Sequence, residues 1–237
     1  MIEHKYTGFI CQKTTYKDND AIFNVLTANG KKTFKARGIL KVNSKNASSC
    51  NYFMISEFVT QSKTELSHQT LKTASIIKMY KKPYEDILIS SSYLFICNLL
   101  DGVSHDINGY DIAVKCFDAL ENKVYPINVL NYFLKNLCDG LGYKPNIKGC
   151  ISCFKKSNLI SFDFESGGFI CKDCFDPTRH TKLSSNILKD IYGFFKNDDI
   201  IEMDATHATT LFKMYSIFFK DVINLFYHNF DFVLQCI

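Results

Sequence analysis

Hydrophobic and polar positions divide the chain into two regimes. Up to residue 74 the apolar residues fall in short runs rich in Phe, Ile, Val and Tyr, which predicts β-strands at 6–11, 21–27, 33–38 and 52–60. A weaker fifth strand is expected within 65–74. Between the second and third runs lies Asn29-Gly30, a pair suited to the positive φ values of a tight hairpin turn. Five short strands in fewer than 80 residues cannot build a large sandwich. They fit a small five-stranded barrel of the OB type, in which closure protects the strand edges. Pattern alone leaves another small barrel or a curled sheet open.

After Ile76 the period changes to 3.6. Over 126–143 the residues Leu130, Phe133, Leu134, Leu137, Cys138 and Leu141 follow the i, i+3, i+4 spacing of a buried helical stripe, opened by Pro126 and closed by Gly140 and Gly142. Further helices are expected at 85–100, 110–120, 186–196 and 206–230. The last carries Leu211, Met214, Tyr215, Phe218, Val222, Leu225 and Phe226 on one side, with Lys213, Lys220 and Asp221 interrupting any membrane-like run. The longest uncharged helical stretch, 87–100, has 14 residues and is too short to span a bilayer. The expected fold class is therefore α+β. An OB-type barrel domain (1–80) precedes an α-helical domain (81–237), into which a four-cysteine finger (148–176) is inserted.

Composition changes this picture little: 46% hydrophobic and 22% charged residues are ordinary for a globular protein. The N-terminal MIEHKYTGF carries charges where a signal peptide needs an apolar run, so a cytoplasmic protein is expected, with its ten cysteines reduced. Charge is more informative. Residues 1–82 hold 14 Lys/Arg against 5 Asp/Glu, and residues 83–237 hold 14 against 19, so a net +9 precedes a net −5. The first part is suited to a polyanion. Because 26 of the 28 basic residues are Lys, a coding bias could inflate the count, but it would act on both parts alike.

Candidate chemistry concentrates in 150–174, CISCFKKSNLISFDFESGGFICKDC. Cys150, Cys153, Cys171 and Cys174 form C-x2-C-x17-C-x2-C, a spacing that predicts one tetrahedral four-thiolate Zn2+ site. Four thiolates leave no open position, so the metal is structural. Iron in a rubredoxin-like site uses the same ligands and stays open. Redox chemistry would need a βαβ setting around one C-x-x-C, and a zinc deaminase would need His-x-Glu; neither is present. His180, six residues past Cys174, reads as a loop histidine. Cys97, Cys116 and Cys138 lie in apolar helices and read as core, and Cys11, Cys50 and Cys236 carry no assignment. No phosphate-binding, dinucleotide-binding or nucleophile-elbow motif occurs. Ser104-His105-Asp106 holds triad residue types, but triad members meet in space and not as neighbours in sequence. Asp198-Asp199 reads as a solvated turn. A non-catalytic binding protein is expected.

The densest basic stretch is KKTFKARGILKVNSKN. Lys31, Lys32, Lys35, Arg37, Lys41 and Lys45, with Phe34 among them, would form a phosphate track with an aromatic for base stacking, or an ordinary solvated face. Three segments resemble a known family in order and spacing: Lys31 to Gly38 as K-x-x-x-K-A-R-G, Lys41 to Lys45 as K-x-x-S-K, and Leu141 to Pro145 as L-G-Y-x-P just before the first cysteine pair. Gly167-Gly168-Phe169 before the second pair matches as well. The whole chain resembles the bacterial recombination mediators of the RecO family. Ile39 and Leu40 stand where many members carry further basic residues. The resemblance implies an OB domain, a helical domain with an inserted zinc finger, and binding of single- and double-stranded DNA. It also implies annealing of complementary strands and, with RecR, replacement of single-stranded-DNA-binding protein by RecA. Two other classes fit the residues alone: an RNA-binding OB protein with a zinc ribbon, and a protein-interaction scaffold using the acidic helical part.

Overall fold

The computed structural model describes residues 1–65, 67–103, 109–221 and 228–236. Two compact units divide the chain, residues 1–122 with 232–237, and residues 123–231.

The first unit is built on a closed barrel of β1 (Ile2–Tyr16), β2 (Asp20–Thr27), β3 (Gly30–Ala36), β4 (Met54–Ser62) and β5 (Gln69–Met79), in the order β1-β2-β3-β5-β4. Closure depends on β1, which at 15 residues is the longest strand. Its first half pairs with β4 from Ile2↔Ser62 to Gly8↔Ser56, and its second half pairs with β2 from Gly8↔Thr27 to Tyr16↔Asp20. Gly8 belongs to both ladders. A Cβ there would lie 2.3 Å from the Leu26 carbonyl oxygen, so only glycine lets the two ladders meet. The β3–β5 seam is a short parallel pairing at Phe34↔Gln69 and Lys35↔Thr70.

The β2–β3 turn falls where Asn29-Gly30 predicts it, but Gly30 alone takes positive φ, at 86°. The Thr27 hydroxyl accepts from the Asn29 N–H at 3.1 Å and donates to the Gly30 carbonyl at 2.7 Å, holding the turn from within. Inward-facing Ile10, Phe23, Val25, Phe34 and Phe58 fill the barrel with Ala21, Ala36, Ile39 and Cys50. Phe9, one residue from Ile10, faces the other way and meets Phe117 edge-on, ring centroids 5.0 Å apart.

Phe117 belongs to α2 (Gly109–Glu121), which with α1 (Ile87–Gly102) completes this unit. The Tyr93 and Phe117 rings stack at 3.6 Å. Two carboxylates bind the end of the barrel to α2. Asp118 accepts from the Tyr80 hydroxyl at 2.8 Å and from Lys78 at 2.5 Å, and Glu121 accepts the backbone N–H groups of Lys81 and Lys82, each at 3.0 Å. The compact unit therefore extends past the last strand to Asn122.

The second unit holds α3 (Pro126–Gly140), the finger strands β6 (Asn146–Cys150), β7 (Leu159–Asp163) and β8 (Gly168–Cys171), then α4 (Ser185–Lys196) and α5 (Ala205–Asp221). A last helix, α6 (His228–Gln235), runs across the unit boundary. The expected 206–230 helix is thus α5 followed by α6, and Val222, Leu225 and Phe226 lie outside the described residues. The apolar stripe of α3 is buried as its period requires, with Leu130, Phe133, Leu134 and Leu137 each at most 1% exposed. Asn131 donates to the Ala208 carbonyl on α5 at 2.9 Å. Phe162 and Phe164 of the finger stack on Phe195, Tyr215 and Phe218.

Lys135 is the one buried lysine among the described residues, 5% exposed. Its ammonium donates to the carbonyls of Phe194 and Asn197 where α4 ends, capping acceptors that the helix cannot satisfy itself. Burial pulls its pKa below the usual lysine range, with Asp198 and Asp139 opposing. Lys135→Met should destabilise this unit by about 1–2 kcal/mol, because both carbonyls lose their donor. A denaturant melt unchanged by the substitution would show that they need none.

Candidate metal centre and nucleic-acid interface

The finger is a three-stranded sheet in the order β6-β8-β7. Cys150 ends β6 and Cys171 ends β8, while Cys153 and Cys174 follow in tight turns. In the first turn the Phe154 N–H donates to the Cys150 carbonyl and the Cys150 N–H donates to the Lys155 carbonyl, both at 2.8 Å. The Gly167-Gly168 return places the Gly167 carbonyl 2.8 Å from the Asn146 N–H, in register with the start of β6. Backbone pairing thus brings together sulfurs 24 residues apart, and all four Sγ atoms lie within 4.8 Å of one another. The Cys153 and Cys171 sulfurs lie 3.5 Å apart. A tetrahedral ion with Zn–S bonds of about 2.3 Å needs sulfurs about 3.8 Å apart, so the four could close on one ion with shifts of about 1 Å.

Electrostatics favour a cation. Burial pushes the Cys150 thiol up, but backbone N–H groups of Cys171, Cys153 and Ser152 outweigh it and bring the thiol down to about 6. Hydrogen bonds with Cys153 and Cys171 push Cys174 up to about 12. Cys150 therefore lies below, and Cys174 above, the usual thiol range. His180 stands outside the cluster: its Nδ1 accepts from the Asp176 N–H at 3.0 Å and its Nε2 lies 3.4 Å from the Ser166 hydroxyl.

The basic stretch splits into two groups. Lys31, Lys32, Phe34 and Lys35 lie on β3. Its alternation sends Lys31, Thr33 and Lys35 outward and Phe34 inward, where it is 1% exposed in the barrel core. The expected stacking role of Phe34 is therefore corrected: its ring packs against Phe23 and Phe58 and cannot meet a base. Lys31 is engaged with Asp101 of α1 through both a side-chain oxygen and the backbone carbonyl. Lys35 pairs with Asp20 at 2.8 Å, and Lys32 lies over the Tyr6 ring. Lys35 and the Gly38 N–H hold the Asp20 carboxyl below the usual range.

Arg37, Lys41 and Lys45 occupy the loop between β3 and β4. All three are exposed, and none pairs with a carboxylate among the described residues. The loop is anchored at both ends. Gly38 N–H donates to Asp20 at 2.8 Å, and the Asn46 amide bridges the Lys72 carbonyl and the Ala74 N–H of β5. Ile39 is 3% exposed in the barrel core.

An aromatic that sequence reasoning missed stands at the end of β1. Tyr16 is 41% exposed, with the Lys35 ammonium 4.2 Å from its ring centroid. It borders a groove of about 340 Å3 shared with Ile22, Thr33, Phe34, Lys35, His68 and Gln69, Phe34 contributing almost no exposed surface. Its signal was an aromatic beside the Lys17 turn, hidden because β1 was expected to end at residue 11. Ser104-His105-Asp106 lies outside the described residues.

The architecture defines a class: an OB-type barrel followed by a helical part that carries a four-cysteine finger. Comparison with known proteins narrows it. The family description "Recombination protein O N terminal" matches residues 1–80, and "Recombination protein O C terminal" matches residues 84–213. Proteins named DNA repair protein RecO are similar along most of their length. That of Listeria innocua is 24% identical over 213 residues, covering 86% of this chain and 83% of its own. That of Bacillus pumilus is 26% identical over 180 residues, covering 73% and 70%. That of Halalkalibacterium halodurans is 21% identical over 201 residues, covering 82% and 78%. The chain belongs to the RecO family of DNA repair proteins. Among the described residues no helix is long and apolar enough to cross a membrane.

The sulfur geometry predicts one bound metal per chain. Cys153→Ser or Cys171→Ser should lower the content measured by inductively coupled plasma mass spectrometry well below one. Full metal retention in both variants would exclude these ligands.

Proposed function

We propose that the protein is a non-catalytic recombination mediator of the RecF pathway type. It binds single- and double-stranded DNA, anneals complementary strands, and with RecR helps RecA replace single-stranded-DNA-binding protein. The barrel domain (1–80) takes the DNA. The helical domain (81–237) carries the finger (148–176), whose Cys150, Cys153, Cys171 and Cys174 hold one structural Zn2+. The working compartment is the cytoplasm, on the nucleoid when DNA is bound. Family membership supports this reading.

The observation that carries it is the cationic loop after β3: Arg37, Lys41 and Lys45 are exposed, lack carboxylate partners among the described residues, and sit on a loop anchored at both ends. Such cations are free to displace counterions from phosphates, and an anchored loop loses little entropy on binding. Annealing follows from the same physics. Two strands repel each other, and a surface that neutralises phosphates lowers that barrier without forming a covalent bond. The Tyr16 ring, steadied by Lys35, supplies the stacking face that Phe34 does not. Lys31, Lys32 and Lys35 border the track, with Lys31 and Lys35 already partly balanced by Asp101 and Asp20.

The triple variant R37E/K41E/K45E should weaken binding to labelled single-stranded DNA and flatten the log–log salt dependence by about 2, at about 0.7 per phosphate contact on a single strand. Lys31→Glu should instead destabilise the barrel unit, by facing Asp101 with a like charge. Unchanged affinity and salt slope in the triple variant would remove the loop from the DNA surface. Stronger binding to RNA than to DNA in the same titration would overturn the assignment of DNA as ligand.

A further inference from the structure

A second surface suited to single strands lies in the finger-bearing unit, where residues 123–231 hold 13 Lys/Arg against 12 Asp/Glu. β6, β8 and α4 enclose a cleft of about 450 Å3. Its floor is apolar, made by Ile147, Leu159, Phe169 and Leu188. Its rim carries three lysines, Lys148, Lys156 and Lys189. All three are exposed, and none forms an ion pair with a described residue. In the same finger Lys155 is neutralised by Asp173 at 2.6 Å, so the free rim lysines are distinguished from the paired one.

One aromatic ring lines the rim, and a second, outside the cleft lining, stands in the turn after Cys153. Tyr192, on α4, lines the cleft and is 45% exposed. Phe154 lies two residues before Lys156 and is 74% exposed, on a backbone with φ of 62°. That left-handed conformation is costly for a bulky side chain and would suit glycine. The two backbone hydrogen bonds of the Cys150 turn nevertheless hold the ring out to solvent.

From this combination we infer that the cleft is a second single-strand site, with rim lysines for phosphates and Tyr192 and Phe154 for unstacked bases. The inference rests on the proposal that the protein handles single strands, and gives it a second surface on the same chain. An acidic peptide would use the lysines and the apolar floor, but it has less use for two exposed ring faces, which match any nucleobase.

The test uses the full, metal-loaded chain and an oligothymidylate carrying 5-iododeoxyuridine, with photoadducts mapped by mass spectrometry. It compares K148A/K156A/K189A and F154A/Y192A with the unaltered protein in binding titrations and annealing rates. Metal content and melting temperature serve as fold controls, and Phe154→Tyr is the conservative rescue. Adducts are expected at Phe154 or Tyr192 besides any in the barrel. The lysine variant should flatten the salt dependence by about 2. The ring variant should lose roughly 5- to 150-fold for each base no longer stacked, and Phe154→Tyr should retain adduct formation. Adducts confined to the barrel, with both variants binding and annealing normally, would overturn the cleft while leaving the barrel reading intact. If the unaltered protein bound no strand at all, the barrel reading would fall with it. A lysine variant that keeps DNA affinity but loses a labelled Asp/Glu-rich peptide would assign the cleft to a protein and overturn the inference.

Discussion

The first strand has to serve two neighbours, and the rest of the barrel depends on how it does so. Eight residues pair with β2 and seven with β4, and Gly8 is the hinge common to both. Any side chain at Gly8 would strike the Leu26 carbonyl and open the seam. With both ladders seated at Gly8, alternation does the remaining work. Ile10 joins the barrel core, and Phe9 turns outward to the aromatic group of Tyr93 and Phe117. One strand therefore supplies adjacent residues to two cores. Asp118 and Glu121 reinforce the same junction by fastening α2 to the residues that leave the barrel.

Much of this was legible in sequence because each element keeps its own period. The helical stripe of α3 and the cysteine spacing of the finger needed only counting. Where reading by composition failed, position explains it. Phe34 looked like a surface aromatic because lysines surround it. In a strand, however, the lysines on either side of a residue point to the opposite face from it, so outward Lys35 requires inward Phe34. The outer half of β1 was missed because Lys13, Thr14 and Thr15 give no apolar run, although β2 pairs with all three. β5 extends to Met79 for the same reason, carried by its pairing with β4 rather than by its own burial.

Charge was harder to read than shape. A stretch of six basic residues suggests a single polyanion track, yet Lys31 and Lys35 already have carboxylate partners from elsewhere in the fold. Half-buried pairs of this kind align strands and helices, whereas, among the described residues, Lys32 and the loop that follows keep their cations for outside partners. The acidic part of the chain shows the reverse. Its net charge says nothing of Lys148, Lys156 and Lys189, which three separate segments bring to one rim. A sequence reports total charge, whereas the fold decides how much of it is already balanced.

The finger lies within the connection between α3 and α5, so a metal clamp there would shorten the chain between those helices. The effect is small. Clamping residues 150–174 shortens the loose connection from about 64 residues to about 40, which lowers the closure cost by only about 0.4 kcal/mol. What the finger supplies instead is solid material: Phe162 lies against Phe195, and Phe164 against Tyr215 and Phe218. An ion held by the four cysteines would act on the helices as a fastening behind a wall. Without it, α4 and α5 would lose an apolar neighbour and expose aromatic faces, turning a repair protein short of metal into one prone to aggregate.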